Sequence, residues 1–325
     1  MDSRQRMIRT LRFEPVDRIA HFESMFELEC EAFSLQFPSQ SDWEHLKGKE
    51  REDALNRCMD IYERIIDTYG WDALAVYNPW EDPEAVALAV KRFGHRILVG
   101  GMCGHSILSI ESVEDWEQFA IDLYEDREKL HRRAKMMHER ACALIRSYAS
   151  CGADFVFIPN DIAFNAGPFI NPELMDELLF PYLKRQVDLA KDLGLFVFLH
   201  TDGFIMPILD RLISMGAHCL QSIDPMAGVD IAEVKVRTHG KLALMGNVQC
   251  SLLQDGPEQD IRSAASYCLV HASSGGGYIF GTSNTIFPGM PLRHYRTMLE
   301  VLHCFNEGYA YTPYILHQTQ KEPTP

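Results

Sequence analysis

Phe196-Val-Phe-Leu-His-Thr-Asp-Gly203 opens on four apolar residues, continues with a histidine, a threonine and an aspartate, and stops at a glycine. The run is too short for a helix and reads as a strand buried on both faces, with its polar residues at the carboxyl end. Seven further runs share that design, at 19–23, 73–78, 96–101, 155–161, 219–224, 242–247 and 278–284. Each is bounded by Gly, Pro, Asn or Asp, and helical patterns lie between them. This alternation predicts one (β/α)8 TIM barrel over residues 1–325, entered through an N-terminal helical extension.

The helical patterns carry no sign of a domain break. Residues 113–150 repeat apolar positions at the amphipathic period and predict one long or two consecutive outer helices. Residues 172–193 open after Asn171, with Pro172 at the first helical position, and close at Gly194. Return helices follow at 206–215, 228–238, 258–274 and 292–306, and 318–325 reads as a frayed polar tail. The insertion 27–49 holds Phe33, Phe37 and Trp43 and reads either as a lid or as a packed surface excursion.

The chain has 325 residues, 46% of them hydrophobic, and a formal net charge of -15. That charge argues against nucleic acid or an anionic membrane surface as a partner, since both favour a basic face. No stretch approaches the roughly 20 apolar residues of a membrane span, and residues 1–14 are charged rather than signal-like. Nine cysteines without a CxxC pair suit free thiols in a reducing, cytoplasmic setting. Cys103 and Cys250 fall just past strand ends and are candidates for facing the site.

In such a barrel the carboxyl ends of the strands converge on one mouth. The residues brought there are Glu23, Asn78, Asn160, Asp161, His200, Asp202, Asp224, Asn247, Gln249, Ser283 and Asn284. Asp and Asn are also preferred helix N-caps, so several have a purely structural alternative. His200 and Asp202 stand out because alternate strand residues share a face. Either they hold a metal with a third group such as Glu23 or Asp161, or Asp202 orients a metal-free His200 by a hydrogen bond. Crowded carboxylates at 23, 161, 202 and 224 are expected to raise at least one of their pKa values. Phe22, Tyr77, Trp80, Met102, Phe164 and Phe204 are candidate walls for a flat apolar substrate.

The segment Arg4-Gln-Arg-Met-Ile-Arg-Thr-Leu-Arg-Phe-Glu-Pro-Val-Asp-Arg18 resembles the amino-terminal signature of the uroporphyrinogen decarboxylase superfamily. So do the Pro-Glu and Phe-Pro-Tyr-Leu-Lys-Arg pattern within 171–187, the His200-Thr-Asp-Gly203 and Gly246-Asn-Val248 turns, and the segment 275–291. The resemblance implies a (β/α)8 barrel and either a porphyrinogen decarboxylase or a methyltransferase working with a corrinoid protein. The decarboxylases carry arginines after the first strand and an aspartate after the second. The matching stretches here are His21-Phe-Glu-Ser-Met-Phe-Glu27 and Val76-Tyr-Asn-Pro-Trp-Glu81, without an arginine. Glu23 and Glu27 would repel a polycarboxylate by about 1 kcal/mol or more per contact.

Thiol-methylating members resemble a zinc site of His-x-Cys plus a distant Cys, and those positions fall on His200, Asp202 and Asn284. Oxygen in place of sulfur hardens the site and disfavours thiol methylation. The resemblance therefore implies a corrinoid-dependent methyltransferase of the O-demethylase kind, moving a methyl group from a methoxylated aromatic or similar small donor to the cobalt of a partner corrinoid protein. His200 and Asp202 would bind a metal, zinc among the candidates, or the leaving oxygen. Asp161 would act as acid or orienter, and Asn247, Gln249 and Asn284 would hold the substrate. The chain lacks the Asp-x-His-x-x-Gly pattern of corrinoid carriers, so the cofactor would come on a partner, with the acidic surface available for docking. Outer helices also leave homodimer formation open. Three alternatives stand: methyl transfer from methylcorrinoid to tetrahydrofolate, decarboxylation of a less charged substrate, and a non-catalytic tetrapyrrole-binding barrel.

Overall fold

The eight apolar runs pair into one parallel sheet in the computed structural model, which describes residues 1–308. The strands are β1 (Ala20–His21), β2 (Ala73–Val76), β3 (Leu98–Met102), β4 (Phe155–Pro159), β5 (Phe196–Thr201), β6 (Cys219–Ser222), β7 (Ala243–Val248) and β8 (Tyr278–Thr282). Their order is β1-β8-β7-β6-β5-β4-β3-β2, a nearly closed (β/α)8 barrel with the helices outside. Side-chain alternation fixes what points inward. Phe22 stacks edge-on to Phe198 with centroids 5.7 Å apart, and Phe155 lies 4.9 Å from Phe198. Rings from opposite sides of the sheet thus meet on the axis and fill it, and His200, two residues beyond Phe198, faces the same way above them.

Because β1 is two residues long, the ladder alone closes the seam between β1 and β2 poorly. Asp72 completes it. Its N–H donates to His21 O at 2.8 Å, its Oδ2 accepts the His21 N–H at 3.0 Å, and its side chain is fully buried. Its Oδ1 accepts from Arg6 at 2.6 Å and Arg18 at 3.0 Å. Arg6 belongs to the N-terminal helix Ser3–Leu11, and Arg4 of that helix grips Asp154, just before β4, through bonds of 2.5 and 2.6 Å. The helix therefore caps the amino end of the barrel with two charge-assisted clamps.

Of the two arrangements expected for 113–150, the structure has two consecutive helices, Trp116–Glu125 and Arg127–Ser150. Other boundaries differ from the expectation. The stretch 172–193 also divides, into Pro172–Leu178 and Phe180–Asp192, because Pro181 has no N–H to continue the first ladder. The leg at 228–238 is helical only over Ile231–Thr238, and that at 206–215 only over Leu209–Ser214 after a short 3-10 turn. The insertion is packed. It forms the short helices Glu29–Phe33 and Gln40–Trp43, with the Phe37 ring 5.0 Å from Tyr62 and 5.5 Å from Tyr77. No described helix is long and apolar enough to cross a membrane, and the tail at 318–325 lies outside the described residues.

Removing one partner of a buried charge network strands the others, so Asp72→Ala is expected to lower the unfolding free energy by about 3–5 kcal/mol. Asp210→Ala, which breaks a surface pair with Arg237 at 2.8 Å, is expected to leave stability near that of the unaltered chain. Urea unfolding of the two variants side by side checks both.

Candidate active site

His200 stands at the carboxyl end of β5, its side chain 12% exposed. Directly across the ladder is Gln221 of β6, whose Oε1 meets His200 Nδ1. The Gln221 amide nitrogen donates to Asn284 O at 3.1 Å and to Thr282 O at 3.5 Å, so its carbonyl must face the imidazole. This network assigns the ring proton to Nδ1 and leaves the Nε2 lone pair toward the mouth. Nε2 lies 3.5 Å from Asp161 Oδ1 and 4.0 Å from Asp202 Oδ1.

Asp202 is held at both oxygens, by Ser222 Oγ at Oδ1 and by Asn284 Nδ2 at Oδ2. Ser222 and Ile223 both have positive φ, 93° and 54°. For a β-branched residue that conformation is strained, and the turn it makes aims the Ser222 hydroxyl at the carboxylate. Asp161 Oδ1 accepts the Asp202 N–H at 2.9 Å, which ties the two acids to each other. The turn between them depends on Gly203 at φ 87°: a Cβ there would fall 2.2 Å from Ala163 O, in the hairpin Ala163–Phe164 with Gly167–Pro168 that follows β4. One ligand atom each from Asp161, His200 and Asp202 lie within 4.8 Å of one another. Among the described residues neither carboxylate forms an ion pair with a Lys or Arg. One imidazole nitrogen and two oxygens, with no cationic neighbour, form a donor set suited to a divalent metal.

The other expected residues divide. Asn284 belongs to this cluster through Asp202. Glu23 is fully buried at the end of β1, where Oε2 accepts the Thr282 N–H at 3.0 Å and its hydroxyl at 2.8 Å while Oε1 has no partner. Burial, rather than crowding by other acids, pushes its carboxyl up to about 8. Asn160 is committed to Ser106 at both ends of its amide, at 3.0 and 2.9 Å. Asn78 takes the Trp43 indole N–H at 2.8 Å and donates to Pro38 O at 3.0 Å, which anchors the insertion. Asp224 caps the turn Pro225–Ala227 by accepting from Met226 N at 2.9 Å. Asn247 donates to Ile223 O at 2.6 Å and is 5% exposed, and Gln249 donates to Ser251 at 2.6 Å. Burial pushes the Cys103 thiol up to about 12 and Cys250 up to about 11, so neither is a ready nucleophile.

Gln221 and Ser222 escaped the sequence reading. The available signal was a glutamine within the short strand Cys219–Ser222, a polar group that burial requires to be bonded. A cleft of about 940 Å³ is walled by residues just past β1 and β2, by the insertion and by Pro288 and Gly289, and none of Asp161, His200 and Asp202 lines it. Tyr77 and Trp80 line it, whereas Phe22 and Met102 are buried in the core.

A solved structure described as a methyltransferase from Methanosarcina mazei superposes with a TM-score of 0.73 at 15% identity, covering 95% of this chain and 100% of that chain. At that identity the likeness is one of fold. Among curated relatives, a uroporphyrinogen decarboxylase from Azotobacter vinelandii is 25% identical over 73% of this chain and 68% of its own length. One from Coxiella burnetii is 22% identical over 69% of this chain and 62% of its own length. The family model for uroporphyrinogen decarboxylase (URO-D) matches residues 64–305, and the chain belongs to that family.

Proposed function

We propose that the chain is a corrinoid-dependent methyltransferase that takes a methyl group from a small methyl ether, such as a methoxylated aromatic, to the cobalt of a partner corrinoid protein. The observation that carries this reading is the Asp161, His200 and Asp202 donor set at the barrel mouth. A divalent metal such as zinc, held by His200 Nε2 and the two carboxylates, would supply Lewis-acid assistance to the oxygen that loses its methyl group. The corrinoid, delivered by the partner, would supply the methyl acceptor.

The chain's own residues supply position and charge. Gln221 keeps His200 in the tautomer with a free Nε2. Ser222 and Asn284 fix Asp202 so that neither oxygen swings away, as supporting bonds do around metal ligands. Burial pushes the Glu23 carboxyl up to about 8, which favours its neutral form at neutral pH and limits the negative charge gathered at the strand ends. The cleft lined by Glu27, Glu29 and Glu31, without a basic residue, does not suit a polycarboxylate, which weighs against decarboxylation of a porphyrinogen.

Three outcomes test the reading. Reduced cob(I)alamin mixed anaerobically with the protein and a panel of methoxylated aromatics is expected to give the methylcob(III)alamin spectrum. If the protein instead discharges methylcob(III)alamin to tetrahydrofolate, the assignment moves to the second transfer step. Titration with zinc, followed calorimetrically, is expected to show one site that His200→Ala abolishes and Gln221→Leu weakens about 10–100-fold. The Glu23 carboxyl has a folded pKa near 8, above its ordinary 4.5, so the folded state holds the extra proton between those values. Its contribution to stability is therefore full below pH 4.5 and lost as pH rises through 8. Glu23→Gln is expected to flatten that alkaline decline in a series of melting curves.

A further inference from the structure

Asp161 lies just past β4 and Asp202 just past β5, and their carboxylates converge to within 4.8 Å. Two like charges on separate loops repel, so something must hold the loops at this separation. Thr201 joins them. Alternation along β5 turns its side chain to the opposite face from His200, where the residue is 2% exposed. Its hydroxyl accepts the Ile162 N–H at 3.0 Å and donates to Asp202 O at 3.0 Å. One buried oxygen therefore ties the peptide unit that follows Asp161 to the carbonyl of Asp202. Both roles of the hydroxyl are used, which gives the connection a defined geometry.

The turn Ile110–Ser112, in the loop after β3, holds Asp161 from the other side. Ile110 N–H donates to Asp161 O at 2.8 Å, and Asp161 N–H donates to Glu111 Oε1 at 3.1 Å. The turn is itself fixed. Ser112 Oγ accepts the Ser109 N–H at 2.9 Å and donates to Ser109 O at 2.7 Å, and Arg133 of the helix Arg127–Ser150 donates to Ser112 O. Glu111 is exposed, so its bond adds little to the stability of the fold, yet it constrains the backbone of a residue 50 positions away. We infer that Thr201 and Glu111 are positioning residues that keep the Asp161 and Asp202 carboxylates at the separation one divalent cation spans with His200, an assignment that rests on the metal-binding reading of the mouth. Thr201 faces away from the cluster and Glu111 is not among the groups that converge there, so neither is a ligand. With both in place, a cation meets a site already formed and need not order two loops on arrival.

Calorimetric titration of the full chain with zinc, together with the visible spectrum of the cobalt(II)-loaded protein, tests the assignment. Thr201→Val keeps the shape of the side chain and removes the hydroxyl; it is expected to bind zinc about tenfold or more weakly and to change the cobalt(II) bands. Thr201→Ser, which keeps the hydroxyl, is expected to recover both. Because Thr201→Val also leaves a buried N–H unpaired and lowers stability, Glu111→Ala at the surface is the second variant, with weaker zinc binding at an unchanged melting temperature. Glu111→Gln keeps an accepting oxygen without the charge and is expected to recover most of that loss. Unaltered zinc affinity in both Thr201→Val and Glu111→Ala overturns the inference, and so does a loss in Glu111→Gln as deep as in Glu111→Ala, which would assign Glu111 an effect of charge. Methyl transfer by the unaltered chain with either of those results leaves the proposed function standing. Zinc binding weakened as expected, without methyl transfer by the unaltered chain, leaves the positioning assignment and removes the methyl-transfer reading. An unaltered chain that binds no zinc overturns the assignment together with the metal part of the proposed function.

Discussion

A barrel whose first strand has two residues can close only if something other than strand pairing holds its seam, and here Asp72 does so. The carboxylate is fully buried, accepts one backbone N–H from β1 and receives two guanidinium groups. A buried charge is expensive to desolvate, so the arrangement is favourable only with all of these partners present. That requirement couples the N-terminal helix to the closure of the sheet. With the seam set, the aromatic residues on the axis have a fixed volume to fill, and the height at which His200 stands above them is determined by packing.

Rigidity at the mouth follows from the same logic one layer higher. His200 and Gln221 are register partners on β5 and β6, so their bond is placed by the ladder and needs no loop to form it. Asp202 lies beyond the strand, where a loop alone would leave it mobile. Two neighbours, Ser222 at the end of β6 and Asn284 just beyond β8, remove that freedom. The strained pair Ser222 and Ile223 is tolerated because the surrounding sheet over-determines it, and its effect is to aim a hydroxyl at the carboxylate. Stability held in the barrel is in this way converted into position at the site.

The barrel was legible because its signal is periodic: eight buried strands, each apolar and short, separated by helices with their own repeat. Pro181 divided a helix that the repeat treated as continuous, since a single missing N–H outweighs a matching apolar pattern. The trio of Asp161, His200 and Asp202 was legible for a similar reason, being polar residues at strand ends. What the sequence does not encode locally is which of several polar residues at the mouth already has a partner. Asn160 and Asn78 sit at the right level but are occupied, by Ser106 and by Trp43 and Pro38, through pairings between residues about 35 to 54 positions apart. Gln221 had the opposite fate, hidden because the chemistry it does is to hold another side chain.

Two acid-lined features of the molecule differ in what they offer. The cluster presents an imidazole nitrogen and two carboxylate oxygens and answers to a compact cation. The cleft is lined by Glu27, Glu29 and Glu31 without a basic residue, and the unpartnered Glu29 oxygen is closed off from it. On the methyl-transfer reading, a polyanion would meet Asp161 and Asp202 at the cluster and Glu27, Glu29 and Glu31 in the cleft, and this charge arrangement weighs against a polycarboxylate substrate.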